Sequence, residues 1–122
     1  MADDPITVDS SESFNIRPGV VMWTLLCSGP ADFDATNGAA LDVSSYVTAI
    51  KFIDFGACTA AADNLVVPRY VNDDLTDADG GAVYFTWDSD SAADAVLENV
   101  ADTTDLSGYQ FQVLLIGTPI AS

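Results

Sequence analysis

Histidine is absent from the chain, and cationic side chains are almost absent. The 122 residues contain only Arg17, Lys51 and Arg69 against nineteen carboxylates, so the formal net charge is −16. Nucleic-acid backbones and anionic membranes are bound by clustered Lys and Arg, and this surface would repel both. We therefore expect neither nucleic acid nor membrane among the partners.

The lack of histidine also argues against most catalytic and metal sites. A Ser or Cys nucleophile needs a neighbouring base, most often His, and transition-metal sites are usually built from His or clustered Cys. The two cysteines, Cys27 and Cys58, both lie in apolar stretches. We expect buried thiols there, with a disulfide as the alternative. We also expect no enzymatic activity, no catalytic residue, no metal ion and no cofactor.

Long hydrophobic runs are missing as well. The apolar run at residues 113–116 is far too short to span a membrane, and residues 1–5 lack the positive charge and apolar stretch of a secretory signal. Glutamate is scarce, because seventeen of the nineteen acidic residues are aspartate. Aspartate favours turns over helix interiors, so this imbalance indicates a loop-rich β protein.

Hydrophobic residues make up 49% of the chain and aromatic residues 10%, which is enough for one folded core. They are grouped in short segments between Gly, Pro, Asp and Asn turns, which predicts an all-β fold with six or seven strands. The expected architecture is a single antiparallel β-sandwich or small β-barrel domain. The predicted strand segments are residues 14–17, 20–27, 46–55, 65–71, 82–88, 95–97 and 109–116.

Three of these segments carry finer expectations. Residues 20–27 read VVMWTLLC and predict a central strand buried on both faces. The 46–55 segment has mixed faces, as in a strand between two layers or at a subunit contact, and a helical first turn stays open. Pro68 places the 65–71 strand at a sheet edge or a bulge.

The first thirteen residues differ from the rest, because they are polar and acidic and offer only Ile6 and Val8 for burial. We expect an extended N-terminal arm over residues 1–13 and the β-sandwich domain over residues 14–122. Ile6, Val8 and Phe14 recur at even spacing, as they would on one side of a strand added to a neighbour's sheet edge.

An acidic loop at residues 72–81 invites a calcium interpretation, because it combines oxygen ligands with glycines. With Gly80 in the glycine position of an EF-hand, however, the first ligand would be Leu75 and the twelfth Thr86. Neither residue suits the ion. A solvated hairpin loop is the preferred interpretation.

Pairs of Asp and Trp side chains are a second set of candidates. The aspartate pairs that could act as acid and base on a glycoside are Asp88 with Asp90, and Asp102 with Asp105. Asp-rich turns are expected at this composition, so turn formation is the simpler role. Trp23 and Trp87 could stack on a sugar, but each lies in an apolar strand segment, where core packing is the commoner role.

The C-terminal third contains a strand, an acidic connection and a final hydrophobic strand that ends in Ile-Gly. These segments read AVYFTWD at 82–88, LENVADTTDLSG at 97–108 and FQVLLIGT at 111–118. The earlier segments LDVSSY at 41–46 and IKFI at 50–53 fit the same pattern. Over roughly residues 20–118 the chain resembles the small head decoration, or cement, proteins of tailed bacteriophages. It departs from them in its acidity, its two cysteines and its alanine-rich stretch at 57–63.

This resemblance implies a non-enzymatic viral structural protein that binds the outer face of an assembled phage capsid and stabilises it by bridging capsid subunits. The implied partners are the major capsid protein and further copies of the chain itself, as a homotrimer. The implied location is the capsid exterior of the virion, after assembly in the host bacterial cytoplasm. The candidate capsid or subunit contact residues are Ile6, Val8, Phe14, Ile16 and Arg17.

Two other functions stay open. The chain could be a different phage structural component, in the tail or the connector, or a β-sandwich module that binds carbohydrate or mediates adhesion. A charge of −16 suits an external coat protein, which never touches the packaged genome.

Overall fold

The computed structural model describes residues 5–56, 58, 66–88 and 97–120. Within these ranges it contains eight β-strands and no helix. The strands are β1 (Thr7–Arg17), β2 (Val20–Ser28), β3 (Ala39–Leu41), β4 (Val47–Phe55), β5 (Val66–Val71), β6 (Gly81–Asp88), β7 (Leu97–Asn99) and β8 (Gln110–Pro119).

The strands form two antiparallel sheets. The first has the order β1-β2-β8-β4. In the second, β5 pairs along one side of β6, while β3 and β7 pair with opposite ends of its other side. The sheets pack on each other around one core, so the predicted antiparallel β-sandwich is confirmed.

Aromatic rings join the two sheets. Phe85 on β6 meets Phe111 on β8 edge to face, with ring centroids 5.8 Å apart. Phe55 on β4 stacks on Phe111 at 5.8 Å and on Tyr70 of β5 at 5.4 Å. Phe33, from the loop after β2, adds an edge contact with Phe85 at 5.5 Å. The fully buried aliphatic residues around these rings are Leu25, Leu41, Val43, Val47, Val66, Val83, Val100, Leu106, Val113 and Leu115.

The central position predicted for residues 20–27 is confirmed, because β2 lies between β1 and β8. Burial on both faces is limited to the start of the strand, where the adjacent Val20 and Val21 are both buried. Leu25 and Cys27 are fully buried, whereas Met22, Thr24 and Leu26 on the opposite face are half-buried. The long apolar run therefore serves two different surfaces, only one of which is the core.

The prediction of an extended arm over residues 1–13 is corrected for the part of this range that the structure describes. Residues 7–13 belong to β1, which pairs with β2 from Thr7 opposite Ser28 to Arg17 opposite Val20. Ile6, just before the strand, is buried, and its backbone N–H donates to the Ala40 carbonyl oxygen at 2.9 Å. Because β1 is an edge strand with mostly exposed side chains, backbone pairing holds it in place, and hydropathy does not reveal such pairing.

Three finer points concern strand ends and edges. β5 is an edge strand, as Pro68 predicted. A single hydrogen-bonded turn precedes β4, in which the Tyr46 and Val47 backbone N–H groups donate to the Val43 carbonyl oxygen at 2.9 and 3.1 Å, and the strand itself begins at Val47. β3 was not predicted, because three residues are too few to show a periodicity.

We predict that Ile6→Ala lowers the free energy of unfolding by about 2–4 kcal/mol, because it empties a position in the core cluster. The neighbouring Thr7 is exposed, and Thr7→Ala should change stability by no more than about 0.5 kcal/mol. Urea unfolding followed by tryptophan fluorescence measures both. Equal, small effects for the two variants would show that the segment before β1 is not docked on the sandwich.

Candidate interaction surface

The outer face of the first sheet is defined by strand register, because residues paired across antiparallel strands point to the same side. Leu25 on β2 pairs with Val113 on β8, and both are buried in the core. The next pair, Thr24 with Leu114, therefore points away from the core, and both residues are half-buried. Every second pair along these strands belongs to the outer face.

One line of four apolar side chains crosses this whole face. It runs through Phe14 on β1, Met22 on β2, Ile116 on β8 and Phe52 on β4, which are paired in register. Phe14 is 49% exposed and Phe52 48% exposed, and the two central residues are half-buried. With strands about 4.8 Å apart, the line is roughly 14 Å long. We call these four residues the apolar row.

Acidic side chains lie on one side of the apolar row. The next outward-facing line runs through Glu12, Thr24, Leu114 and Asp54, also paired in register, about 7 Å along the strands. Its two ends, on the edge strands β1 and β4, are exposed carboxylates.

Cationic side chains lie on the other side of the row. Arg17 ends β1 opposite Val20, on the side of the row away from Glu12, and Lys51 directly precedes Phe52 on β4. Both are exposed. Two of the three cationic residues in the chain thus flank the apolar row, one at each edge of the sheet.

Strand irregularities decide which residues reach this face. A bulge between Ile50 and Phe52 changes the alternation of β4, so that Ile50 is buried in the core while Phe52 points outward. This explains the mixed faces seen in the sequence. A second irregularity, between Val8 and Ser10, separates the inward-facing Val8 from the outward-facing Phe14, so their even spacing does not put them on one side.

The five predicted contact residues are therefore divided between two environments. Ile6 is buried, and Val8 is half-buried and packed against the core cluster, so both contact the chain's own sandwich. Phe14, Ile16 and Arg17 lie together at the exposed end of β1, with Ile16 50% exposed. Sequence reasoning missed Met22, Phe52 and Ile116, which join this surface from three other strands.

Five aspartates form the same local turn, in which the carboxylate accepts the backbone N–H two residues later. The distances are 3.3 Å at Asp77, 2.9 Å at Asp34, 2.9 Å at Asp42, 3.0 Å at Asp74 and 2.9 Å at Asp105. In the last three turns, the Ser or Thr hydroxyl of that residue also donates at 2.6 Å. These hydrogen bonds hold the pKa values of the three carboxylates below the usual aspartate value. Much of the acid therefore shapes loops.

The acidic loop joins β5 to β6 as a hairpin and is closed by its own hydrogen bonds. Asn72 accepts the Asp74 backbone N–H at 3.0 Å and donates to the Asp77 carbonyl oxygen at 3.0 Å. A hydrogen bond with Asp77, together with its charge, raises the pKa of Asp79. Among the residues that the structure describes, no group of three or more His, Cys, Asp or Glu could hold a metal ion.

The other candidate pairs show no shared site in the described ranges. Asp102 accepts the Ala35 backbone N–H at 2.9 Å, and Asp105 forms its own turn. Trp23 lies edge-on to Tyr46, with centroids 4.9 Å apart, and its indole N–H donates to the Tyr46 carbonyl oxygen at 3.1 Å. Asp90 and the side chains of Asp88 and Trp87 lie outside the described residues.

Comparison with known proteins adds no relative. No family model matches the chain, and no curated protein or solved structure matches it either. Within the described ranges, no helix is long and apolar enough to cross a membrane.

We predict that the acidic loop does not bind calcium, because its spacing fails the EF-hand pattern and its aspartates are used in turns. Calorimetric titration of the purified protein with calcium chloride should give no stoichiometric heat. A micromolar site that disappears in the Asp77→Asn, Asp79→Asn double variant would reverse this interpretation.

Cys27 and Cys58 are both buried and free, as expected. Burial, with a smaller contribution from Asp9, raises the pKa of Cys27 to about 12, and burial raises that of Cys58 to about 11. At pH 8 both thiols should therefore react slowly with a thiol-specific disulfide reagent, while urea should release two reactive thiols per chain.

The same shifts set the sign of a pH dependence. Unfolded thiols ionise near their ordinary value of 9.0, whereas the folded ones keep their protons, so stability should fall as the pH rises above about 9. Rapid labelling of the native protein at pH 8 would contradict both expectations.

Proposed function

We propose that the protein is a non-enzymatic viral structural protein, a decoration protein that binds the outer face of a phage head and bridges its capsid subunits. The observation that supports this proposal is the apolar row, which exposes two phenylalanines on an otherwise strongly acidic chain. A contiguous apolar surface rimmed by polar residues is typical of a site of protein contact. The resemblance of roughly residues 20–118 to decoration proteins suggests the particular setting.

The charge distribution supports an external position. A chain of net charge −16 placed among packaged nucleic acid would be repelled, whereas on the outer surface of a shell the same charge keeps particles dispersed. Bridging capsid subunits requires complementary surface repeated at symmetric positions and no catalytic group. Both requirements are compatible with a small, rigid β-sandwich.

Carbohydrate binding is the alternative that the exposed aromatic residues could suggest. Sugar platforms need flat aromatic faces next to groups that hydrogen-bond hydroxyls, and Trp23 instead uses its indole N–H within the chain. Phe14 and Phe52 stand at opposite edges of the sheet, separated by Met22 and Ile116. This arrangement suits an extended apolar partner surface better than a sugar ring.

We predict that the purified protein co-sediments with heads assembled from the major capsid protein encoded in the same genome and lacking this chain. Binding should saturate at a fixed ratio to the capsid subunit, because decoration sites repeat with the symmetry of the shell. An unrelated acidic β-sandwich protein at the same concentration serves as the control for trapping in the pellet. Absence of saturable binding to heads, or copies found only in purified tails, would overturn the proposal.

A further inference from the structure

We propose that the outer face of the first sheet is a homodimer interface, in which two copies pack face to face about a two-fold axis that lies along the apolar row. The occupant of this face is a second copy of the chain. The inference concerns the purified chain before it meets a head: in solution the second copy occupies the same face that the proposed function assigns to the shell, and head binding would displace that copy.

The outer face of the first sheet is divided into three bands. The apolar row lies in the middle, the carboxylates of Glu12 and Asp54 lie on one side, and the cations of Arg17 and Lys51 lie on the other. Next to the row, each edge strand contributes one acid and one base; a further carboxylate of β1, Asp9, lies beyond Glu12, where it accepts hydrogen bonds from Ser28 and Gln110. The four charged side chains next to the row are exposed and available to a partner.

This pattern of bands is complementary to itself. A closed dimer uses the same patch on both copies, and face-to-face packing requires the two-fold axis to lie in the plane of the interface. Rotation about an axis along the apolar row places each row on its counterpart and exchanges the acidic and cationic bands. Glu12 then faces Arg17 of the second copy, and Asp54 faces Lys51 of the second copy.

Charge favours this axis over the other two-fold axis that could lie in the plane of the interface. An axis parallel to the strands would place β1 over β4, so that Glu12 would face Asp54 and Arg17 would face Lys51. Like charges would meet at all four positions, which disfavours that packing. The chain has only three cations, and two of them lie where the favoured axis needs them.

The size of the face indicates a weak dimer. Four strands about 4.8 Å apart and nine residues at about 3.4 Å each give roughly 19 by 30 Å in projection. This is somewhat less than the roughly 800 Å² per partner of a standard interface. We therefore expect a monomer–dimer equilibrium in the micromolar range, which the net charge of both copies opposes.

Sedimentation equilibrium of the purified chain in 0.15 M salt, from low micromolar to near millimolar concentration, tests the proposal. The wild-type protein should pass from monomer to dimer, and Phe52→Ser, at an exposed position, should stay monomeric with an unchanged fold by circular dichroism. Lowering the salt to 0.01 M should weaken the dimer, because the screening length grows from about 8 to about 30 Å.

Two charge reversals test the orientation. Glu12→Arg and Arg17→Glu should each weaken self-association by about tenfold or more, because each makes like charges meet twice per dimer. Glu12→Arg also changes the net charge of the chain from −16 to −14, which by itself reduces the repulsion between two copies. A weaker dimer would therefore come from the local contact between like charges and not from the net charge. Asp73→Arg, at an exposed position in the β5–β6 loop, makes the same change in charge and should leave the dimer intact.

Mixing the two reversed variants is the decisive measurement. In the mixed dimer, Arg at position 12 of one copy faces Glu at position 17 of the other, and Arg17 of the first faces Glu12 of the second. Dimerisation should therefore be restored to near the wild-type strength, although each variant alone dimerises poorly. A mixture no stronger than the separate variants would overturn the proposed axis.

The other possible occupants have their own outcomes. A wild-type chain that stays monomeric at all concentrations, or that forms the trimer implied by the sequence resemblance, would overturn the two-fold interface. If the wild-type chain is monomeric and the Phe52→Ser variant no longer binds heads, the face is the contact for the capsid protein and not for a second copy. A dimer that forms while heads are not bound would instead overturn the proposed function and leave this inference standing.

Discussion

The register of β8 between β2 and β4 is the constraint on which both faces of the first sheet depend. Side chains alternate along a strand, so a shift of one residue would turn every inward position outward. In the observed register, Phe111, Val113 and Leu115 enter the core, where Phe111 meets rings from both sheets. The same register places Leu114 and Ile116 on the outer face. The core and the candidate interface are thus fixed by one set of backbone hydrogen bonds.

The sequence predicted the strands in which the pattern of apolar side chains matches the pattern of burial. β2, β6 and β8 carry β-branched and aromatic residues in runs or alternation, and aspartate-rich segments mark the turns between them. β1 was missed over residues 7–13 because an edge strand with exposed side chains has no hydropathy signal. Its position is held by pairing with β2 and by the hydrogen bond from Ile6 to Ala40.

The candidate surface was only partly predictable, for two physical reasons. Each strand contributes a single residue to the apolar row, so no segment of sequence contains the pattern, and pairing across strands is needed to assemble it. The bulge beside Lys51 also changes which residues of β4 face outward, and a simple alternation misplaces them. Phe14, Ile16 and Arg17 were found because they lie close together in sequence at the end of one strand.

Acidity acts at two scales in this chain. Locally, carboxylates such as Asp42, Asp74 and Asp105 accept the hydrogen bonds that close tight turns, and they do so best when ionised. Globally, the same charges repel any second copy that approaches at random, because the like charges of both chains add. The outer face of the first sheet differs, since it combines apolar area with two of the three cations. In the proposed dimer, two copies meet through this face because its apolar row and its cations offset the repulsion from the rest of the surface.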